Sequence, residues 1–288
     1  VVDPPLPKME DMAWGRNEID RFILRKLELE HLEPAPEADP AALVRRVYFD
    51  LTRLPPSSEA LDSYLADPAL DAYERLVDRL LSSRHFGERL AIYWLDVVRY
   101  ADSNGYHSDE ARQSAPYRDY VINAFNSNKP YDAFVIEQLA GDLLPEAGIE
   151  QQVASGFNML LQTTSEGGAQ AKEYLAKYMA DRVRNTSQIF LGSTMGCCEC
   201  HDHKYDPFTT KDFYSFGAFF ADISEIAVGN PRTYPVIDEA AREKLADFDQ
   251  QIAQATEELN RSTPELAAAQ AEWEVATIAD LKTSAKFS

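Results

Sequence analysis

The three cysteines of this 288-residue chain lie within four consecutive positions, as Cys197, Cys198 and Cys200. A disulfide framework spreads its cysteines so that they join distant segments, and this clustering argues against one. Together with the next residue they form Cys197-Cys198-Glu199-Cys200-His201, a C-x-x-C-H motif typical of c-type haem attachment. Such a motif needs two thiols and one imidazole on a single turn, and this requirement constrains the local fold.

The order of these residues fits the chemistry of haem attachment. The thiols of Cys197 and Cys200 can add across the two vinyl groups of a haem, and the imidazole of His201 then lies beneath the iron as proximal ligand. We therefore predict one covalently bound haem c as the cofactor. Cys198 is an additional thiol that this chemistry does not require.

The same residues permit other interpretations. Zinc could bind Cys197 and Cys200 together with His201 or His203, although no further cysteine exists to supply a second ligand pair. An iron–sulfur cubane generally needs four thiolates, and a thioredoxin-like C-x-x-C needs a βαβ setting. A buried cysteine cluster beside a surface histidine is the remaining alternative.

The acidic composition excludes a general nucleic-acid binder. The chain has 28 basic and 48 acidic residues, a net charge of −20, so its surface repels phosphate. Hydrophobic residues make up 45% of the sequence, enough for a packed core. No apolar run approaches the roughly 20 residues of a membrane span, and residues 1–16 resemble an extended arm, not a signal peptide.

Apolar residues at three- and four-residue spacing predict a mainly α fold, without alternating strand patterns. Asn17, Asp39-Pro40 and Ser57 or Ser58 predict helix starts. The segment 101–115 is polar and non-periodic, which predicts a long loop. The predicted helices of the body are 18–31, 40–51, 59–65, 72–81, 87–100, 116–125, 130–139, 149–161 and 171–191.

The last 50 residues follow a different pattern. Apolar residues recur every seven positions, which indicates a coiled-coil-like seam: Leu245, Ile252, Leu259, Leu266 and Trp273. Thr263-Pro264 interrupts it, so we predict two helices, 238–260 and 264–282, packed as a hairpin, with a dimerising coiled coil as alternative. The predicted organisation is an arm (1–16), a helical cytochrome-like domain (17–230) and a helical extension or spacer (238–288) to a downstream domain.

The sixth ligand of the iron is predicted by exclusion to be His107, in the polar loop. No methionine follows Cys197, and Met195 lies too close to the attachment site to reach the opposite haem face. The other candidates are assigned to surface, capping or core positions: His31, His85, Met159 and Met179. Ligation by His107 would make the site bis-histidine, and its absence would leave the sixth position open.

Several blocks of sequence resemble the planctomycete cytochrome-associated family of unknown function between residues 15 and 225. They are IDRFILRKLE, RRVYFDLTRLPP, YERLVDRLLSS, FGERLAIYWLDVVRYADSNGY, PYRDYVINAFN, EQLAGDLLP and LGSTMGCCECHDHKYDP. The resemblance implies a domain of large exported proteins, commonly beside another cytochrome-like domain and a carbohydrate-binding-like module. Cys197, Cys200 and His201 match the family's haem motif, and 202–207 match its usual continuation.

Two departures from the family pattern concern Cys198, at a variable position, and Leu161. Many members resemble N-R-N-H-M where this chain has Asn158 to Gln162, so Leu161 replaces a histidine.

Polar residues beside the motif have predicted roles as well. Asp202, His203 and Asp206 are expected to bond the proximal loop and orient His201, or alternatively to bind a divalent cation or transfer protons. Arg99 is expected to pair with a haem propionate or with Asp96.

Three classes of function follow from these patterns. The first is single-electron transfer by a c-type haem in a periplasmic or otherwise exported protein, with a redox protein or neighbouring cytochrome domain as partner. The second is a haem enzyme or sensor with an open sixth site for peroxide or a gas. The third is a carbohydrate-associated scaffold or hydrolase-like module with auxiliary haem or divalent metal, where carbohydrate is bound through other domains.

Overall fold

A computed structural model describes residues 3–8, 14–106, 109–229, 233–234, 236–237 and 239–284. This part of the chain is mainly helical, as predicted, and contains twelve α-helices. Its only β-type pairings are two isolated bridges, Ser103 with Ala111 and Gly105 with Thr163. The chain divides into two compact units, Val1–Val97 with Val121–Lys129, and Val98–Tyr120 with Pro130–Ser288.

The first unit contains five complete helices. They are α1 (Glu18–Leu29), α2 (Pro40–Thr52), α3 (Ser58–Leu65), α4 (Ala72–Leu81) and α5 (Arg84–Val97). Its core is formed by apolar residues of α2 and α4, namely Val44, Val47, Leu76 and Leu80. These residues repeat at helical spacing, so each helix presents one apolar face to the other.

Side-chain caps begin the first three helices at the predicted positions. Asn17 and Asp20 form a reciprocal capping box at α1. The Asp39 carboxylate accepts from the amides of Ala41 and Ala42 at α2, and the Ser57 hydroxyl accepts from the Ala60 amide at α3. Each cap satisfies amides that the first helical turn leaves without partners.

Helix α5 begins and ends three residues earlier than the predicted range 87–100. Its buried residues are Gly87 and Ala91, whereas Val97, its last residue, is 49% exposed. The helix stops before Arg99 because that residue adopts a left-handed conformation with φ of 60°. Val98, just beyond the helix, is fully buried.

Helix α6 (Ala115–Asn126) begins at the end of the polar loop and continues from one unit into the other. The second unit continues with α7 (Tyr131–Ala140), α8 (Ile149–Ala154) and α9 (Ala171–Thr186).

Two predicted helices are shorter than expected. The helix predicted for 149–161 ends with α8, and the chain continues as the 3₁₀ segment Ser155–Met159. In this segment the side-chain amide of Asn158 donates to the backbone carbonyls of Gln138 and Leu139 in α7. The range 171–191 is α-helical to Thr186 and continues as one π turn, Ser187–Leu191. Gly192, with φ of 64°, ends that turn.

A short helix that the sequence analysis missed completes the body. Helix α10 (Thr210–Gly217) begins with a capping box formed by Thr209 and Asp212. The T-x-x-D spacing is a helix-start pattern and could have predicted this helix. Helix α10 packs on α9, and the core between them contains Ala180, Val183, Met195, Cys198, Phe213 and Phe220.

The predicted pair of long C-terminal helices is confirmed as α11 (Glu239–Leu259) and α12 (Pro264–Ser284). The expected burial of their apolar seam is not observed, because its five residues are 45–81% exposed. Heptad spacing alone does not specify which surface covers a seam. In the described part of the chain, no helix combines the length and apolarity required to cross a membrane.

Candidate functional site

The C-x-x-C-H motif forms a short 3₁₀ turn, Gly196–Glu199, followed by Cys200 and His201. The backbone carbonyl of Cys197 accepts from the amides of Cys200 and His201, each at 3.2 Å. The thiols of Cys197 and Cys200 are exposed, as is His201. The turn therefore places all three groups of the motif within reach of an external ligand.

Cys198 differs from the other two cysteines, because its side chain is fully buried in the core between α9 and α10. Its Sγ lies 3.4 Å from the carbonyl oxygen of Phe208, to which the thiol donates. Burial raises the pKa of this thiol, since the thiolate would lose its hydration. Cys198 is therefore a core residue, and Cys197 and Cys200 form the accessible pair.

Contacts on both sides hold the turn in place. On the α9 side, the Ser187 hydroxyl accepts from the Met195 amide at 3.2 Å, and Arg184 forms an ion pair with Glu199. On the α10 side, the Tyr214 hydroxyl donates to the Glu199 carbonyl at 3.1 Å. None of these long-range partners could be read from the motif itself.

The imidazole of His201 has one nitrogen bound to the backbone. Its Nδ1 lies 2.8 Å from the Asp202 carbonyl oxygen, which can only accept. The bond therefore places the proton on Nδ1 and leaves Nε2 with its lone pair for a metal. A backbone carbonyl on Nδ1 is a common partner of metal-ligating histidines.

The imidazole of His203 faces the loop that follows. Its Nδ1 accepts from the amides of Asp206 at 2.8 Å and Tyr205 at 3.3 Å, so this nitrogen carries no proton. The contact of 3.6 Å to the Asp206 carboxylate is therefore not an ion pair in this tautomer.

The two aspartates near the motif bond other parts of the loop. Asp206 accepts from the Ser193 hydroxyl, and Asp202 accepts from the Thr210 amide at 2.8 Å at the start of α10. Asp202 reaches the His201 ring through its backbone carbonyl, not through its carboxylate. No group of three or more His, Cys, Asp or Glu side chains is arranged for a metal ion anywhere among the described residues.

Arg99 pairs with a carboxylate that the sequence analysis did not consider. Its guanidinium forms a two-pronged ion pair with Asp181 of α9, at 2.8 and 2.7 Å. Of the two predicted partners, Asp96 is therefore not the one that Arg99 binds, and pairing with a haem propionate stays a prediction. The bond to Asp181 raises the pKa of Arg99 despite partial burial.

The residues considered as sixth ligands of the iron lie in different environments. His107 lies outside the described residues. Met195 is buried in the core, and Met179 packs against Gly217. His85 lies 2.6 Å from Glu88 at the start of α5. The packing of Met179 agrees with its predicted core role, and the contact of His85 lies in the first turn of α5, where a capping or core role was predicted.

The sequence of the chain matches the profile of one protein family. The profile named PSCyt2, described as "Protein of unknown function (DUF1549)", matches residues 18–225, well over half of the chain. The chain belongs to the PSCyt2 family. The PSCyt2 match includes α1 to α10 and the turn with Cys197 to His201, and it ends before α11. Comparisons with curated proteins and with solved structures gave no match.

Proposed function

We propose that this PSCyt2 domain carries one covalent haem c and transfers single electrons in an exported protein. The observation that carries the proposal is the difference in solvent exposure among the three thiols. Cys197 and Cys200, the pair that the motif requires, are exposed, whereas the additional Cys198 is enclosed in the core. The donor set fits haem c, because two thiols and an available imidazole nitrogen occur on one turn.

Attachment would proceed by addition of each thiol to a vinyl group. The sulfur of Cys197 or Cys200 would form a bond to one vinyl carbon, and the thiol proton would end on the other. The Nε2 atom of His201 would be the proximal ligand, because its Nδ1 is held by the Asp202 carbonyl. The haem, when bound, supplies a one-electron iron couple.

The protein's own contribution is to fix the turn at the surface. Arg184 and Tyr214 hold Glu199 from two sides, and Ser187 holds Met195. Two thioether bonds remove the need for a deep apolar pocket, which agrees with the exposure of the turn. An exposed site also shortens the distance to a redox partner or a neighbouring cytochrome domain. Because covalent haem is attached outside the cytoplasmic membrane, we place the protein in the periplasm or beyond.

A second candidate is a haem with an open sixth position that binds peroxide or a small gas. The packing of Met195 and Met179 favours it, because neither sulfur is free to approach an iron on the protein surface. His107 is the residue that separates the two candidates. Low-spin spectra that become high-spin in His107→Ala indicate that His107 binds the iron, which favours the electron-transfer candidate. Rapid binding of carbon monoxide to the parent chain, with spectra identical in His107→Ala, indicates the open site.

Haem attachment is tested by intact mass and a pyridine haemochrome spectrum of chain matured in the periplasm. We expect the apo mass plus one haem. Cys197→Ser and Cys200→Ser should each lose a thioether, and His201→Ala should either alter the Soret band or prevent maturation. Cys198→Ala is the matched control and should retain one haem. An apo mass accompanied by stoichiometric zinc would contradict the proposal.

A further inference from the structure

Helix α11 carries an apolar face that stays in solvent. Its large members are 45–81% exposed, namely Leu245, Phe248, Ile252 and Leu259. They are spaced by three, four and seven positions within a helix of 21 residues, so they lie along one side of it. A continuous apolar face of this kind is typical of a surface that binds another protein segment.

The spacing of this face is that of a coiled coil, in which the first (a) and fourth (d) positions of each heptad are apolar. The a positions hold Leu245, Ile252 and Leu259, and the d positions hold Ala241, Phe248 and Ala255. Every a and d position of α11 is therefore apolar. The small alanines allow a second helix to approach closely between the larger side chains.

The charges beside this face favour a parallel partner with the same sequence. In a parallel pair, the seventh position (g) of one helix faces the fifth position (e) of the next heptad in the other helix. Lys244 is at g and Asp249 is at the following e, and both are exposed. A symmetric pair would contain this attractive contact twice. The next g and e residues, Gln251 and Thr256, are neutral.

An antiparallel pair is less favourable for the same residues. With the two copies of α11 fully overlapped, e positions face e positions and g positions face g positions. Lys244 would then face Glu258 of the second copy, but the two copies of Asp249 would face each other. Like charges in contact repel, so the parallel arrangement is the one without a repulsive pair.

The chain's own α12 is a poorer partner for this face. It continues the seven-residue series with Leu266 and Trp273, but the next member of the series is Asp280. A hairpin that paired the two series would bury this carboxylate against Leu245. Burial of a charge without a counter-charge costs free energy. A second copy of α11 carries no charge at the corresponding positions.

We propose that α11 binds α11 of a second copy of this chain as a parallel two-stranded coiled coil. The pairing is two-fold symmetric and therefore closed, so it produces a dimer and no larger assembly. It would join two domains, each with its own Cys197–His201 turn. The dimer does not depend on haem attachment, since α11 lies beyond the residues 18–225 that match the family.

Sedimentation equilibrium of the full chain tests for the dimer. We expect twice the 32.4 kDa mass of the chain, with dissociation on dilution. Ile252→Lys places a charge in the middle of the apolar face and should weaken dimerisation at least about 100-fold. The matched control Ala253→Lys, one residue further and outside the a and d positions, should leave the dissociation constant unchanged.

Thermal unfolding of the helical body confirms that both variants fold, since Ile252 and Ala253 are exposed in the single chain. A chain that is monomeric at every concentration measured would overturn the proposal. So would a trimer, or equal effects of Ile252→Lys and Ala253→Lys.

A charge exchange tests the parallel arrangement. Lys244→Glu and Asp249→Lys each place like charges in contact and should each weaken the dimer about tenfold. The double variant restores opposite charges in a parallel pair and should recover the dissociation constant of the parent. In an antiparallel pair the double variant leaves both kinds of contact repulsive. A dimer that the double variant fails to recover therefore contradicts the parallel coiled coil.

Discussion

The thiol of Cys198 donates to the backbone carbonyl of Phe208 across 3.4 Å inside the core between α9 and α10. This bond connects the cysteine turn to the segment that precedes α10. The turn and the core therefore share one residue. The additional cysteine of the motif consequently contributes to stability, and the outer two remain available for chemistry.

Alkylation of the reduced apo protein should distinguish the three thiols. Iodoacetamide should modify Cys197 and Cys200 in the native protein and reach Cys198 only in denaturant, because that thiol is buried and its pKa is raised. Cys198→Ala should lower the free energy of unfolding by about 1–3 kcal/mol. Mass spectrometry and urea denaturation provide the two measurements. Equal modification rates of all three thiols in the native protein would refute the assignment.

The buried pair Arg182 and Glu225 should be far more important for stability than the partly exposed pair Arg99 and Asp181. The side chains of the first pair are 4% and 8% exposed, against 47% and 27% for the second. Glu225→Gln leaves a buried guanidinium without its counter-charge and should cost about 3–5 kcal/mol. Asp181→Asn, the control, should cost at most about 1 kcal/mol. Urea unfolding measures both, and equal losses would contradict the prediction.

Tyr100 should make stability depend on pH in the alkaline range. Burial, and secondly its hydrogen bond of 2.7 Å to Asp102, raise the pKa of this tyrosine to about 12 from an ordinary 10.0. The unfolded chain loses this proton first, so the contribution is complete below pH 10 and is lost as the pH rises towards 12.

Denaturation at a series of alkaline pH values tests the role of Tyr100. The parent should lose stability more steeply than Tyr100→Phe over that range. Asp102→Asn should lower the pKa of Tyr100 but leave it above its ordinary value, because burial is the larger cause. Parallel pH profiles in the parent and Tyr100→Phe would show that Tyr100 does not contribute.

Two glycines of the second unit should respond differently to alanine. A Cβ at Gly141 would collide with the backbone carbonyl of Gln151 in α8, which cannot rotate away. A Cβ at Gly217 would meet the end of the flexible Met179 side chain. We expect Gly141→Ala to cost about 3 kcal/mol and Gly217→Ala about 1 kcal/mol. Chemical denaturation measures the free energy of unfolding of the two variants. A larger loss in Gly217→Ala than in Gly141→Ala would show that the backbone of α8 shifts more easily than the Met179 side chain.

The helices of the body were predictable because their causes are local. Asn17, Asp39 and Ser57 each bond amides within three residues, so a cap and an apolar period are enough to predict α1 to α3. The limits of α5 and α8 were not predictable in this way. The left-handed Arg99 pairs with Asp181, far along the chain, and the predicted helix 149–161 breaks where Asn158 bonds the carbonyls of α7.

The candidate site was only partly predictable from the sequence, because much of it is formed by residues that are distant in the chain. Spacing identified Cys197, Cys200 and His201 as one unit, but could not show which thiol enters the core. Arg184 and Tyr214 carry no motif. Their roles depend on which helix faces meet, and that depends on contacts between residues distant in sequence.

The sequence by itself determined the mainly helical class, the starts of α1 to α3 and the C-x-x-C-H unit, because each depends on residues within one or two turns. Only the tertiary structure decided that Cys198 is enclosed and that its neighbours are exposed. It also decided that the C-terminal seam stays uncovered within the chain. These features arise from packing between distant segments, and local spacing does not encode which surfaces come together.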